Sequence, residues 1–179
     1  MADALSPAIF LDRDGTIMRD VDYCGDPKDV DVFEGVADAL RKLKDRGYKL
    51  LVITNQSGIG RGYFTEEEYR AVEREVSQQI GADVIDATYF CPHLPDRACK
   101  CRKPSPEMIL EAAQDHKLDL AQSFFVGDKA SDIQCGRNAG VKTILVRTGY
   151  GKEVSKGLPD FVARDLVEAA NIIVDLAHA

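Results

Sequence analysis

Short apolar runs alternate along the chain with stretches whose apolar residues recur every three to four positions. That alternation is the signature of repeated strand–helix units on a mostly parallel sheet. Ala8–Leu11 is the first run and predicts a buried strand. Val36, Leu40 and Leu43 mark one face of a helix that stops at Gly47. Strands are expected at 50–54, 84–90, 123–127 and 143–146. Thr65-Glu66-Glu67-Glu68 reads as a capping box, with Tyr69, Val72, Val76 and Ile80 on the apolar face of the helix behind it. Further helices are expected from Ser105 and Pro106 (Pro at the first helical position) to about His116, over 130–139, and over 165–177. No repeat or linker interrupts the pattern. Residues 1–179 are therefore expected to form a single domain, with a metal-binding loop at 91–101.

Polar residues fall where this pattern makes them informative. Asp12, Thr54, Asn55 and Asp128 each follow the carboxyl end of an expected strand. In a parallel sheet those ends share one edge, the edge at which open α/β sheets bind ligands. The first strand leaves through Asp12-Arg13-Asp14-Gly15-Thr16. Residues two apart in extended chain point to one side, so the two carboxyls can converge. Like charges that close require a cation or a retained proton, giving a nucleophile or a general acid. A plain Asp-Gly turn is the bland alternative. Asp128, after a Phe-Phe-Val-Gly run, adds a third carboxylate, and an all-oxygen donor set suits Mg²⁺. Asp132 stands one helical turn further on, and Asp128 could equally cap the helix that follows.

Thr54-Asn55-Gln56-Ser57 offers a hydroxyl, amides and free backbone N–H groups to phosphoryl oxygens. The glycine-rich run at 57–62 fails the dinucleotide spacing because Tyr63 occupies the third glycine's place, so a flexible surface loop carrying Arg61 is expected. Arg102 and Lys103, just before a helix, make a candidate anion site. Cys91, His93, Cys99 and Cys101 supply the ligand types and number of a closed tetrahedral zinc site, which is structural because no position stays open. Such a zinc would pin the loop and fix Arg102 and Lys103. Cys24 and Cys135 lack partners at useful spacing.

Bulk properties narrow the function classes. At 179 residues, 45% hydrophobic and 30% charged, the chain is ordinary globular protein. A formal net charge of −7 gives no footprint for nucleic acid. No apolar run reaches the roughly 20 residues of a membrane span, and the amino terminus lacks the pattern of a signal peptide. A cytoplasmic monomer acting on a small phosphorylated metabolite is the expectation, with metal or inert thiols instead of disulfides.

Asp12-x-Asp14-Gly15-Thr16, Thr54, Lys103 and Gly127-Asp128-x3-Asp132 resemble the four ordered motifs of the haloacid dehalogenase phosphohydrolases. With the cysteine–histidine knuckle, Arg102-Lys103-Pro104 and Gly127-Asp128-Lys129, the chain is similar to the D-glycero-D-manno-heptose 1,7-bisphosphate 7-phosphatases. The histidinol-phosphate phosphatases share the knuckle and most motifs, whereas the 55–62 segment leans toward the heptose enzymes. The resemblance implies a Rossmann-like sheet sandwiched by helices, without a large cap domain. It implies that Asp12 attacks phosphorus and that Asp14 is the acid and then the base. Asp12, the backbone carbonyl of Asp14 and Asp128 would hold Mg²⁺. Thr54, Arg102 and Lys103 would steady the phosphoryl group. Asp20, Asp22, Tyr23 and Lys129 would contact the sugar or leaving group, with Asn55, Gln56, Ser57 and Arg61 as further substrate contacts.

Overall fold

The apolar runs at the sheet centre become strands with both faces covered, and each amphipathic stretch becomes a helix packed on one face. The computed structural model describes residues 4–154 and 159–179. Met1, Ala2 and Asp3, part of the terminus read above as leaderless, lie outside them. In chain order the elements are β1 (Ala8–Leu11), α1 (Val36–Asp45), β2 (Lys49–Asn55), α2 (Ser57–Gly60), α3 (Glu66–Ile80) and β3 (Ala87–Cys91). They continue with α4 (Glu107–His116), β4 (Phe124–Gly127), α5 (Ala130–Ala139), β5 (Lys142–Val146), β6 (Phe161–Ala163) and α6 (Leu166–Ala177). The sheet order is β3-β2-β1-β4-β5-β6, and every pair is parallel. The chain order reverses direction between β1 and β4. A crevice opens at such a switch point.

Alternation along each strand divides the core in two. Ile9, Leu11, Leu50, Val52, Phe124 and Val126 face α1, α3 and α6. Ala8, Phe10, Leu51, Ile53 and Phe125 face α4 and α5. The expected capping box is present: Thr65 Oγ1 accepts from the Glu68 N–H, and the Thr65 N–H donates to the Glu68 carboxylate at 2.7 Å. Asp165 caps α6 through the Glu168 N–H.

The structure corrects four local expectations. β3 begins at Ala87, not Val84, because the Val84 N–H closes a turn on the Gly81 carbonyl and Asp86 caps the strand edge by accepting from the Leu50 N–H. Pro106 is the residue before α4 and not its first, because the helix starts at Glu107. The 57–62 segment is no loose loop. It opens as α2, and side chains at Gly58 and Gly60 would meet the Phe64 ring at 2.3 Å and the Pro92 carbonyl at 2.6 Å. The sixth strand was missed because it is three residues long, but Asp160 docks it firmly by accepting from the Thr143 N–H and hydroxyl.

Candidate active site

Asp12 and Asp128 leave neighbouring strands at the switch point. The Asp12 N–H still donates to the Val126 carbonyl, so the nucleophile candidate sits on the β1/β4 seam. Oxygens of Asp12, Asp128 and Asp132 lie within 4.8 Å of one another, all buried. Three buried carboxylates repel, and Lys103 answers them. Its Nζ donates to Asp12 Oδ1 at 2.8 Å, to Asp132 Oδ1 at 2.6 Å and to the Ile53 carbonyl at 2.8 Å. Asp132 Oδ2 accepts from the Lys129 N–H. Both Asp132 oxygens are thus engaged, while Asp12 Oδ2 is buried with no partner. Leaving such an atom unpaired costs about 1–3 kcal/mol. Asp128 is aimed by the Tyr150 N–H at 2.9 Å and, more weakly, by the Thr16 hydroxyl. A Cβ at Gly15 or Gly149, both at positive φ, would lie 2.3 or 2.2 Å from Asp128 Oδ2, so these glycines clear the space it occupies.

The charges follow from this geometry. Burial pushes the Asp12 carboxyl up, but the Lys103 and Lys129 ammonium groups outweigh it, and Asp12 stays below the usual carboxylate range. Asp128 is pushed up to about 8 by burial and by the charges of Asp12 and Asp132. An orphaned carboxylate oxygen beside a second, well-aimed carboxylate that resists ionisation is an oxygen-donor set short of one cation. The set fits Mg²⁺.

Asp14 stands apart from the three. Arg13 Nε and Nη2 donate to its two oxygens at 3.1 Å, and Gln56 Nε2 donates to Oδ2 at 2.9 Å. The same Gln56 amide donates to Thr54 Oγ1 at 2.8 Å. Arg13, only 2% exposed and lying over the Tyr69 ring at 5.6 Å, was not singled out in the sequence. Its place between two acids was the available signal. The Asp14 side chain is thus engaged by Arg13 and Gln56, outside the Asp12, Asp128 and Asp132 group.

Several expected phosphate contacts are arranged differently. Lys103 turns inward and spends its donors on Asp12, Asp132 and Ile53, so the two adjacent cations do not form one anion site. Arg102 alone faces the cleft, with Nη1 donating to the His93 carbonyl at 3.3 Å. The Gln56 N–H is not free, because it donates to the Cys91 carbonyl at 2.7 Å. The Asn55 side chain bonds the Lys103 backbone at both ends, accepting at 3.0 Å and donating at 3.3 Å, and so holds Lys103 in register.

A cleft of about 300 Å³ opens beside these groups. Asp14, Asp20, Asp22, Tyr23, Asn55, Gln56, Ser57, Arg102 and Lys129 all line it. Tyr150 and Ser131 line it too and were missed. Tyr150 could have been found by the rule that located Asp128, since it lies just past the carboxyl end of β5. Arg61 is not among the lining residues. Its guanidinium lies over the Tyr23 ring at 5.5 Å. Lys129 pairs with Asp20 at 3.5 Å; burial would lower its ammonium, but the charges of Asp12 and Asp128 outweigh it and hold it above the usual lysine range.

The second cluster lies at the end of β3. Cys91 Sγ is 3.5 Å from His93 Nδ1 and 3.7 Å from Cys99 Sγ, and His93 Nδ1 is 3.2 Å from Cys101 Sγ. A zinc tetrahedron built from standard Zn–S and Zn–N bonds has edges of about 3.5–3.8 Å. The cluster fits that ion in donor type and count, and two of the three distances match its edges, the His93–Cys101 one being shorter.

Known proteins place this arrangement. The HAD-hydrolase-like family model matches residues 100–169. The D-glycero-beta-D-manno-heptose-1,7-bisphosphate 7-phosphatase of Haemophilus ducreyi is 44% identical over 152 residues, covering 79% of this chain and 84% of that protein. The D-glycero-D-manno-heptose-1,7-bisphosphate 7-phosphatase of Thermosynechococcus vestitus is 40% identical and covers 93% and 95%. Among solved structures, D,D-heptose 1,7-bisphosphate phosphatase from B. bronchiseptica, complexed with magnesium and phosphate, superposes with a TM-score of 0.89 at 33% identity, covering 95% of this chain and 99% of that one. A parallel sheet in this order, two acids on its switch-point seam and near full-length identity of this degree make the chain a member of the heptose-1,7-bisphosphate 7-phosphatase family of haloacid dehalogenase-like hydrolases.

Proposed function

We propose that the chain is a Mg²⁺-dependent phosphomonoesterase that removes the 7-phosphate of D-glycero-D-manno-heptose 1,7-bisphosphate through an aspartyl-phosphate intermediate. The observation that carries this reading is the orphaned Asp12 Oδ2 on the β1/β4 seam beside Asp128, with Asp14, two residues on, lining the cleft. Asp12, Asp128 and the Asp14 carbonyl would hold Mg²⁺, which when bound neutralises charge shared by Asp12 and the phosphoryl oxygens.

The residues then divide the chemistry. An Asp12 oxygen forms a bond to phosphorus as the bond to the sugar oxygen breaks, and Asp14 delivers a proton to that leaving oxygen. In the second step Asp14 takes a proton from water, the water oxygen bonds to phosphorus, and the Asp12–phosphorus bond breaks. Lys103 keeps Asp12 ionised and aimed between turnovers. Arg13 and Gln56 hold Asp14 in place for both proton transfers. Arg102 supplies a positive charge at the cleft wall, and the Asp20, Asp22 and Ser57 side chains offer hydrogen bonds to hydroxyl groups. Uncatalysed phosphate-monoester hydrolysis is slow enough to require rate enhancements of up to about 10²¹, so no one of these effects suffices.

The cysteine–histidine cluster is read as a structural zinc site. It acts on the reaction through the His93 carbonyl that holds Arg102 and the Cys91 carbonyl that anchors Gln56. A thiolate-rich knuckle needs a reducing compartment, which favours the cytoplasm. The chain's net charge of −7 favours a free small metabolite over nucleic acid.

Phosphate release should be measured from both anomers of the heptose bisphosphate and from histidinol phosphate, with Mg²⁺ and with chelator. Fast Mg²⁺-dependent release from a heptose bisphosphate, with histidinol phosphate poor, is expected. Preference for histidinol phosphate would replace the substrate assignment and leave the chemistry intact.

A further inference from the structure

The mouth of the cleft has two aromatic walls, one of them unexpected. Asp22 and Tyr23 both take left-handed backbone conformations, with φ of 51° and 61°. A bulky aromatic residue rarely adopts such a φ, and it persists only where surroundings impose it. Here the Arg61 guanidinium lies over the Tyr23 ring, and the Tyr63 ring meets it edge-on at 4.9 Å. Tyr150 also lines the cleft and is 42% exposed. Its hydroxyl lies 3.5 Å from Asp22 Oδ1, and the Lys129 ammonium lies over its ring at 5.2 Å. Its backbone N–H is the group that aims Asp128, and the Thr148 hydroxyl ties the same turn to the Gly15 carbonyl at 2.7 Å. A large aromatic ring in this position is held by the active-site frame itself and still keeps 42% of its surface exposed.

We infer that Tyr150 is a specificity-determining residue for the leaving group, its ring forming the wall against which the C–H face of a cyclic polyol packs. The inference rests on the sugar-phosphatase reading above and deepens it. An exposed aromatic face flanked by Asp20, Asp22 and Lys129 matches a sugar ring, which offers an apolar face and a rim of hydroxyls. The chemical step needs none of this, because the contact with Asp128 is made by the backbone and survives any side chain. Binding of the ring and chemistry at phosphorus are therefore separable at this residue.

The test compares Tyr150→Ala, Tyr150→Leu and Tyr150→Phe with wild type on the heptose bisphosphate and on acetyl phosphate, which has no ring. For Tyr150→Ala, KM for the heptose bisphosphate should rise about tenfold or more, with kcat within about threefold. Acetyl phosphate kinetics and the Mg²⁺ concentration for half-maximal rate should not move. Tyr150→Phe should stay near wild type, and Tyr150→Leu should fall between, which guards against a misfolded alanine variant. An unchanged KM in Tyr150→Ala and Tyr150→Leu would overturn the inference. So would an equal loss on acetyl phosphate, which would mark the residue as a support of the metal site. If wild type ignores heptose bisphosphates, the function reading fails by itself. The same comparison, run with glucose 6-phosphate against acetyl phosphate, then decides the role of Tyr150.

Discussion

The two clusters of metal-ligating side chains are built in opposite ways. Asp12, Asp128 and Asp132 come from points 116 and 4 residues apart in sequence and are brought together by neighbouring parallel strands and one helical turn. Cys91, His93, Cys99 and Cys101 come from eleven consecutive positions at the end of an edge strand. In the first cluster the sheet fixes the geometry, and Lys103 balances much of the charge without a metal. In the second, only Cys91 lies on a strand, paired with Asn55, and the other three residues sit on the loop beyond it. The metal in the first cluster would serve chemistry on a frame that already stands. In the second the metal would be the frame.

The largest effect expected from this contrast is on chemistry. Asp12→Asn keeps size and packing but removes the nucleophile, and turnover should fall by about 10⁴-fold or more while thermal stability barely changes. Steady-state rates with a melting curve check both halves. Lys103→Met should do the reverse of sparing the fold. It leaves Asp12 and Asp132 buried without their cation, and denaturant unfolding should show a loss of about 3–5 kcal/mol.

The knuckle predicts a different kind of failure. Elemental analysis should give about one zinc per chain, and Cys99→Ser should lose the zinc. Activity should then fall about 10–100-fold through the displacement of Arg102 and Gln56, with the sheet still folded by circular dichroism. Full activity without zinc would show that the cluster does not set the cleft wall. A smaller effect tests the sheet edge that keeps the frame in register. Burial would raise Asp86, but the Leu50 N–H, Lys44 and Lys49 prevail, and it sits below the usual carboxylate range. A depressed carboxyl stabilises the fold above its unfolded pKa and loses that contribution as pH falls through its folded value. Asp86→Asn should therefore cost about 1–2 kcal/mol at pH 7, and its gap to wild type should close below about pH 4.

What could be read in the sequence divides along the same line. β1, the α3 capping box and α5 are local events, written in four- to fifteen-residue patterns, and each stands where the pattern put it. The acids were legible because strand ends of a parallel sheet share an edge whatever the loops do. Which way Lys103 turns was not legible, since it depends on Asp132 and Ile53 meeting it from two other elements. Nor was the role of Asn55, whose amide bonds a backbone 48 residues away. The glycines at 58 and 60 look like flexibility in one dimension and are close packing in three.

The central claim is that the carboxylate at position 12, just past β1, carries the phosphoryl group. Rapid mixing of enzyme, Mg²⁺ and substrate, followed by acid quench, borohydride reduction and peptide mass spectrometry, tests it directly. Reduction of an aspartyl phosphate yields homoserine, and the account predicts homoserine at position 12 only, dependent on substrate. Homoserine at position 14 or 128, or burst-phase turnover with position 12 unmodified at every quench time, would contradict it.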